Sequence, residues 1–347
     1  MELQLKNIGM IKEANVKIDG LTVIAGENDT GKSTVGKSLF MFLKTYNFMF
    51  NDILKLVKKT GSKKIENFST NVQKEINEHL NFPKLIFQEL ISGTEFSLLE
   101  NGKKILDLSV NNQNHIVPNG EIHMEHTEIA QLSPIIIETP LVWNFTDFFR
   151  DIAQIESQMN IKLDYPYLMK DLNFKLHIKS ASNGLDIKEK VTNLMGGEFK
   201  KDEMGRYYFD KKGQRIELVN TATGIKYFGI FQVLSQNNYL NENTVLVLDE
   251  PEVHLHPKWQ LEMAKIIVEL VKNGVKIVVN SHSPYMIEAL QRYGKKSKID
   301  MDFYLAENGI IDKIDNNNSA TLSKIFEKLS EPFDIFDEMD SETLRNG

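Results

Sequence analysis

The sequence predicts an α/β fold with a mainly parallel central sheet, an antiparallel sheet at the N-terminal end, and an inserted helical and β lobe. Three observations carry this expectation. In the last third of the chain, short apolar runs alternate with helical stretches, as strands and crossover helices do in a parallel sheet. Near the start, an apolar run at residues 21–25 passes through a polar, glycine-bearing loop into another helical stretch. Residues 2–8 and 13–19 instead alternate apolar and polar side chains, the period of half-buried strands, with a turn near Gly9.

Each element is justified by its own pattern. Leu3 and Leu5 oppose Gln4 and Lys6, and Ala14, Val16 and Ile18 oppose Asn15 and Lys17. Residues 21–25 (LTVIA) read as a buried strand, 26–34 as a polar loop, and 35–46 as a helix. Residues 50–92 read as lysine-rich helices. Two strands over 96–117 flank Asn101-Gly102, a hairpin turn signal. Residues 133–139 (SPIIIET) read as a buried strand, 140–172 as helical and aromatic, and 173–219 as short strands. Then come an apolar helix at 224–234, a buried strand at 244–248 (TVLVL), and a helix opened by Pro257. A strand at 275–279, a helix at 284–292 and an edge strand at 302–306 complete the pattern. The tail after Ser330 is acidic and carries Phe333 and Phe336; it could fray or dock on a partner.

Composition bounds the function. The 347 residues are 41% apolar and 26% charged, ordinary for a packed chain and unlike a disordered one. The net charge of -7 argues against a protein that coats nucleic acid, so such contact needs a local basic patch. With no cysteine there is no disulfide, thiolate nucleophile or Cys-based zinc site. The first twenty residues lack the apolar core of a secretory signal, and no apolar stretch is long enough to span a bilayer. The expected location is the cytoplasm, with no membrane contact.

Gly26-Glu27-Asn28-Asp29-Thr30-Gly31-Lys32-Ser33 fits G-x-x-x-x-G-K-[ST], between an apolar strand and a helix. Gly26 and Gly31 allow a tight loop whose amides, from Asn28 through Thr34, converge on phosphates. Lys32 would neutralise the β- and γ-phosphates, and Ser33 would ligate Mg²⁺. The strand at 244–248 then delivers Asp249 and Glu250 to its carboxyl end. Asp249 would hold Mg²⁺, and Glu250 would orient or deprotonate the attacking water.

The run DEPEVHLHP from Asp249, with SHSP from Ser281 about thirty residues on, resembles ABC-type ATPases. The likeness is to the branch shared by RecF, the structural-maintenance-of-chromosomes (SMC) proteins and the overcoming-lysogenization-defect (OLD) nucleases. The start, LKNIGMIKEANVKIDGLTVIAGENDTGKST, is similar to that branch too. The resemblance covers about residues 1–45 and 215–306, and includes stand-alone AAA-family ATPases of the anti-phage defence type. It implies ATP and Mg²⁺ as cofactors. It makes His282 the switch histidine that contacts the γ-phosphate and the attacking water. It places Asn220–Lys226 as the signature loop, with Thr223 as N-cap and Gly224 facing ATP bound by a partner subunit. The family's serine is absent there; aligned on Gly224, Ala222 takes its position. His254 and His256 have the spacing of a metal pair but no apparent third ligand, and the resemblance makes their loop a dimer contact. A glutamine-loop residue stays unassigned: Glu138 and Thr139 stand after the strand, with Gln131 and Gln154 on either side.

The resemblance therefore implies a discontinuous ATPase core from residues 1–45 and 215–306. Residues 46–214 would be an inserted lobe, and 307–347 a C-terminal segment. The stretch after His282 looks too short for a Toprim nuclease domain. The implied function is an ATP-driven switch that dimerises head to tail and controls a separate effector, such as a nuclease or toxin. A RecF-like DNA-repair ATPase stays open as an alternative. Its DNA contacts would be Lys55, Lys58, Lys59, Lys63, Lys64, Lys295, Lys296 and Lys298, with Phe145, Phe148 and Phe149 stacking bases. A transporter nucleotide-binding subunit is the weaker alternative.

Overall fold

The computed structural model describes residues 1–60, 79–80, 82–87, 90–120, 122, 126–160 and 166–346. Lys63 and Lys64 lie outside the described residues.

The chain opens with the antiparallel pair β1 (Glu2–Ile8) and β2 (Ile11–Lys17), then β3 (Leu21–Ala25) and the long helix α1 (Lys32–Thr60). Next is a meander of β4 (Glu95–Glu100), β5 (Lys103–Val110) and β6 (Ile116–Pro118). Asn101 and Gly102 both take positive φ, as the hairpin turn requires. The short helix α2 (Thr127–Gln131) leads into β7 (Ser133–Ile137). A 3₁₀ turn (Pro140–Phe145) precedes α3 (Thr146–Met159), α4 (Tyr167–His177) and α5 (Lys188–Met195). Three short strands form a separate sheet: β8 (Glu198–Lys201), β9 (Tyr207–Lys211) and β10 (Gln214–Glu217). Then come α6 (Thr223–Gln236), β11 (Thr244–Asp249), α7 (Pro257–Lys272), β12 (Lys276–Ser281) and α8 (Pro284–Ser297). The described chain closes with β13 (Met301–Glu307), β14 (Ile310–Asp312) and α9 (Ser319–Asn346).

One 11-stranded sheet runs β6-β5-β4-β1-β2-β14-β13-β3-β12-β11-β7. From β13 to β7 all pairings are parallel; from β6 to β2 all are antiparallel. The parallel and antiparallel parts are thus one sheet. β14 joins them, parallel to β2 and antiparallel to β13.

Two apolar layers cover the sheet. Leu21, Val23 and Ala25 face α6, α7 and α8 with Ile135, Leu246 and Val279. Ile24, Ile136, Val247 and Val278 face α1, whose Val35, Leu39 and Phe42 are fully buried. Strands buried on both faces read as continuous apolar runs, which is why 21–25, 133–137 and 244–248 were legible.

Several expectations need correction. The strand at 302–306 is not an edge strand: β13 lies between β14 and β3, and Phe303 and Tyr304 are buried. Its edge is covered by β14, three residues long and too short to show a pattern. Residues 173–219 are not all strand, since the end of α4 and all of α5 fall within them. Residues 46–214 supply β4 to β7 to the main sheet, and 307–347 supply β14, so the sheet does not respect the expected boundaries. The backbone after Ser330 continues as helix to Asn346.

Candidate active site

β3, β12 and β11 are neighbours, and all three point their carboxyl ends the same way. Ala25 sits opposite Ser281, and Asn280 opposite Asp249. This register sets the Gly26–Ser33 loop, the Asp249-Glu250 pair and the Ser281–Ser283 turn side by side, where open α/β sheets bind ligands.

The loop is shaped by its glycines. Gly31 takes φ +91°, and a Cβ there would lie 2.6 Å from Ile11 Cγ1. Gly26 packs against β13, where a Cβ would come within 2.4 Å of the Ala306 carbonyl oxygen. Thr30 Oγ1 donates to the Glu27 carbonyl at 2.8 Å, and the Thr34 amide to the Gly31 carbonyl at 3.0 Å. Lys32 folds back over the loop, its Nζ donating to the carbonyls of Gly26 (2.9 Å) and Glu27 (2.5 Å). Burial holds the Lys32 pKa below its ordinary value, while the carboxylates of Glu250, Asp249, Glu252 and Glu27 push it back up. An ammonium with only two carbonyl partners in a buried site is disposed to bind phosphate oxygens.

Ser33 Oγ donates to Asp249 Oδ1 at 3.0 Å, and Asn280 Nδ2 donates to the same oxygen at 2.8 Å. A hydroxyl and a carboxylate held together at a strand end are the hard oxygen donors that Mg²⁺ prefers. Glu250 takes φ +47°, unusual for a residue with a Cβ, and its amide donates to the Asn280 carbonyl at 2.9 Å. That backbone turns the Glu250 side chain toward a cavity of about 290 Å³. Met10, Asn28, Asp29, Thr30, Gly31, Lys32, Ser33, Thr34 and Glu250 line it. His282 lies beside it, with Nδ1 3.3 Å from Glu250 Oε1.

A second cavity of about 530 Å³ adjoins the first and shares Met10, Asp29 and Thr30 with it. Lys12, Glu27, Glu307, Asn308 and Lys328 also line this second space. The sequence pattern singles out none of Met10, Lys12, Glu307, Asn308 or Lys328. Met10 is 53% exposed in the β1–β2 turn, and no sequence signal marks it, because its place beside the glycine-bearing loop depends on how β2 and β3 are brought together through β13 and β14.

Thr223 and Gly224 do not line the smaller cavity. They begin α6, which packs on the loop after Glu250: a Cβ at Gly224 would meet Leu255 Cδ2 at 3.1 Å and the His254 carbonyl oxygen at 3.4 Å. Thr223 is not the cap. The N-cap is Ala222, whose side chain cannot accept a hydrogen bond, so helix start and threonine are offset by one residue. Thr221 is turned away, donating to the Glu217 carbonyl at 3.0 Å. His256 caps α7, its Nδ1 accepting from the Lys258 amide at 3.3 Å, while His254 takes positive φ. Glu138, after β7, pairs with Lys37 of α1 at 2.9 Å. Gln131 and Gln154 are exposed on α2 and α3.

The expected basic and aromatic contacts divide. Lys55 pairs with Asp52 within α1, and Phe149 is buried. Phe145 and Phe148 are partly exposed and pack edge to face, with ring centroids 5.8 Å apart. Lys295, Lys296 and Lys298 are exposed at the C-terminal end of α8, where cations offset the helix dipole.

Residues 119–287 match the model of the AAA ATPase domain family. That span holds Asp249, Glu250 and His282. Over that span the chain is similar to AAA ATPase domains. The chain is 25% identical over 170 residues to the Old nuclease of Escherichia phage P2, covering 49% of this chain and 28% of the nuclease. It thus spans under a third of that relative's length. Among solved structures, the SMC head domain from Thermotoga maritima aligns at 13% identity over 89% of this chain and 96% of that one, with TM-score 0.43. The recombination mediator protein RecF aligns at 12% identity over 90% and 97%, with TM-score 0.42. No described helix is long and apolar enough to cross a membrane.

Proposed function

We propose that the protein is an ATPase that works as a molecular switch. Two copies clamp head to tail around ATP, each phosphate loop facing the partner's α6, and hydrolysis releases them. The observation that carries this reading is the position of α6. Its N-terminus is absent from the lining of its own phosphate cavity, yet it is held on the His254–Leu255 loop shortly after Glu250. A helix N-terminus there offers amides and a positive dipole end to another subunit's γ-phosphate.

Within one copy, the loop amides and Lys32 bind the β- and γ-phosphates, and the nucleoside extends past Met10 into the larger cavity. Ser33 and Asp249 would hold Mg²⁺, which supplies charge neutralisation on the phosphate oxygens. Glu250 orients the attacking water and takes its proton. His282, beside Glu250, contacts the γ-phosphate. The output passes to a separate protein; partial likeness to a phage-encoded nuclease supports a nuclease-type effector in anti-phage defence.

Sedimentation of the Glu250→Gln variant with excess ATP and Mg²⁺ tests the clamp. The expected result is a dimer that reverts to monomer in ADP; a monomer in both nucleotides would overturn the clamp. Gly224→Asp sets a charge against the partner's phosphate and should weaken that dimer by about tenfold or more. An undiminished dimer would remove α6 from the contact. A DNA-contacting reading rests on the exposed lysines ending α8. ATPase stimulation by DNA that collapses between low and moderate salt would favour it.

A further inference from the structure

Glu252 has no assigned role so far, yet it is the best-held carboxylate near the site. Only 4% of it is exposed. One oxygen, Oε1, accepts three hydrogen bonds: from Ser281 Oγ at 2.7 Å, the His282 amide at 2.9 Å and the Ser283 amide at 3.2 Å. The other, Oε2, is buried and makes none. Burying a carboxylate is costly unless donors offset it, and here all three come from one turn. That turn carries His282 between β12 and α8.

The turn is held at its far end too. Ser283 Oγ donates to Gln260 Oε1 of α7 at 2.7 Å and caps α8 by accepting from the Met286 amide at 3.4 Å. The backbone around His282 is therefore fixed on both sides, while its ring has no hydrogen-bond partner at Nδ1. The ring nitrogen lies 3.3 Å from Glu250 Oε1 and 3.7 Å from Glu252 Oε1. A rigid turn with an uncommitted ring suits a group that must meet substrate rather than brace the fold. An unsatisfied buried oxygen on the clamp calls for a functional explanation of its own.

We propose that Glu252 is a positioning residue for ATP hydrolysis. It clamps the Ser281–Ser283 turn and so sets the His282 ring beside Glu250, without itself touching nucleotide. This rests on the roles given above to Glu250 and His282.

The test compares kcat, KM, nucleotide affinity and Tm in the full chain. Glu252→Ala should lower kcat by about 100-fold and leave nucleotide affinity within about 2-fold. Glu252→Gln keeps an acceptor for the three donors but loses the charge, so kcat should fall only about tenfold. Ser281→Ala removes one donor and should cost about 3-fold. The Glu252→Ala, His282→Ala double variant should be no slower than His282→Ala alone, because both changes remove one contribution. Parental kcat in both Glu252→Gln and Ser281→Ala would overturn the proposal. So would a double variant slowed by the product of the single effects, or affinity falling in step with kcat. If Glu252→Ala does not fold, Glu252→Gln and Ser281→Ala decide. His282→Ala and Glu250→Gln at the parental rate would overturn the site reading and this proposal together. Slow His282→Ala beside parental Glu252 variants would overturn the proposal alone.

Discussion

Strands β3, β11 and β12 are buried along nearly their whole length and end at Gly26, Glu250 and His282, whereas β1 and β2 alternate buried and exposed residues and end in turns. Both groups belong to one sheet. In the parallel group every carboxyl end meets the same edge, so three loops far apart in sequence become neighbours. In the antiparallel group successive ends alternate sides, so no comparable cluster can form. The chemistry gathers where the strands agree in direction, and the other half supplies stability and the wall bearing Met10 and Lys12.

Changes on the two sides of this divide should separate binding from stability. Lys32→Ala removes the ammonium proposed to bind phosphate, and ATP affinity should fall by at least about 100-fold with Tm close to parental; calorimetric titration reads this. Leu98→Ala empties a fully buried position in β4. It should cost about 2–5 kcal/mol of stability while nucleotide affinity stays within about 2-fold, read by urea unfolding and titration together. If Leu98→Ala weakened ATP binding as much as Lys32→Ala, the two halves would not be independent.

A smaller effect concerns the helices flanking the parallel half. Lys175 on α4 is buried and bonds Asp171, which also accepts from Lys44 of α1 at 2.6 Å. Burial pushes the Lys175 ammonium down to about 8; Asp171 opposes the shift and Lys44 adds to it. Below that pH the lysine is protonated whether the chain is folded or not. Between about 8 and the ordinary lysine value the unfolded chain binds more proton, so this group favours folding more as pH rises. Parental Tm measured against Lys175→Met should therefore climb across that window. A constant difference would remove the lysine as its source.

The legibility of the sequence respects the same divide. Asp249, Glu250 and Ser33 were singled out in the sequence because a buried parallel strand is a continuous apolar run, so the polar residues at its carboxyl end and in the loop that follows stand out. Glu252 was not, since its donors come from a turn about thirty residues downstream, and adjacency of β11 and β12 is not written in either strand. Thr223 was misread as a cap because the choice between it and Ala222 depends on how α6 seats on Leu255. β13 looked like an edge because nothing in a three-residue β14 announces a partner.

The position of β13 has a consequence for how the molecule is made. β3, which launches the phosphate loop, has β12 and β13 as its two neighbours, and both lie far along the chain. At ribosomal speeds of about 5–20 residues per second, the roughly 280 residues separating β3 from β13 take on the order of 15–60 s to appear. For that interval β3 and its glycine-bearing loop leave the ribosome with two open strand edges, a long-range pairing still to close and an apolar surface to shelter. The protein should therefore depend on chaperone protection during synthesis more heavily than its stability once folded would suggest.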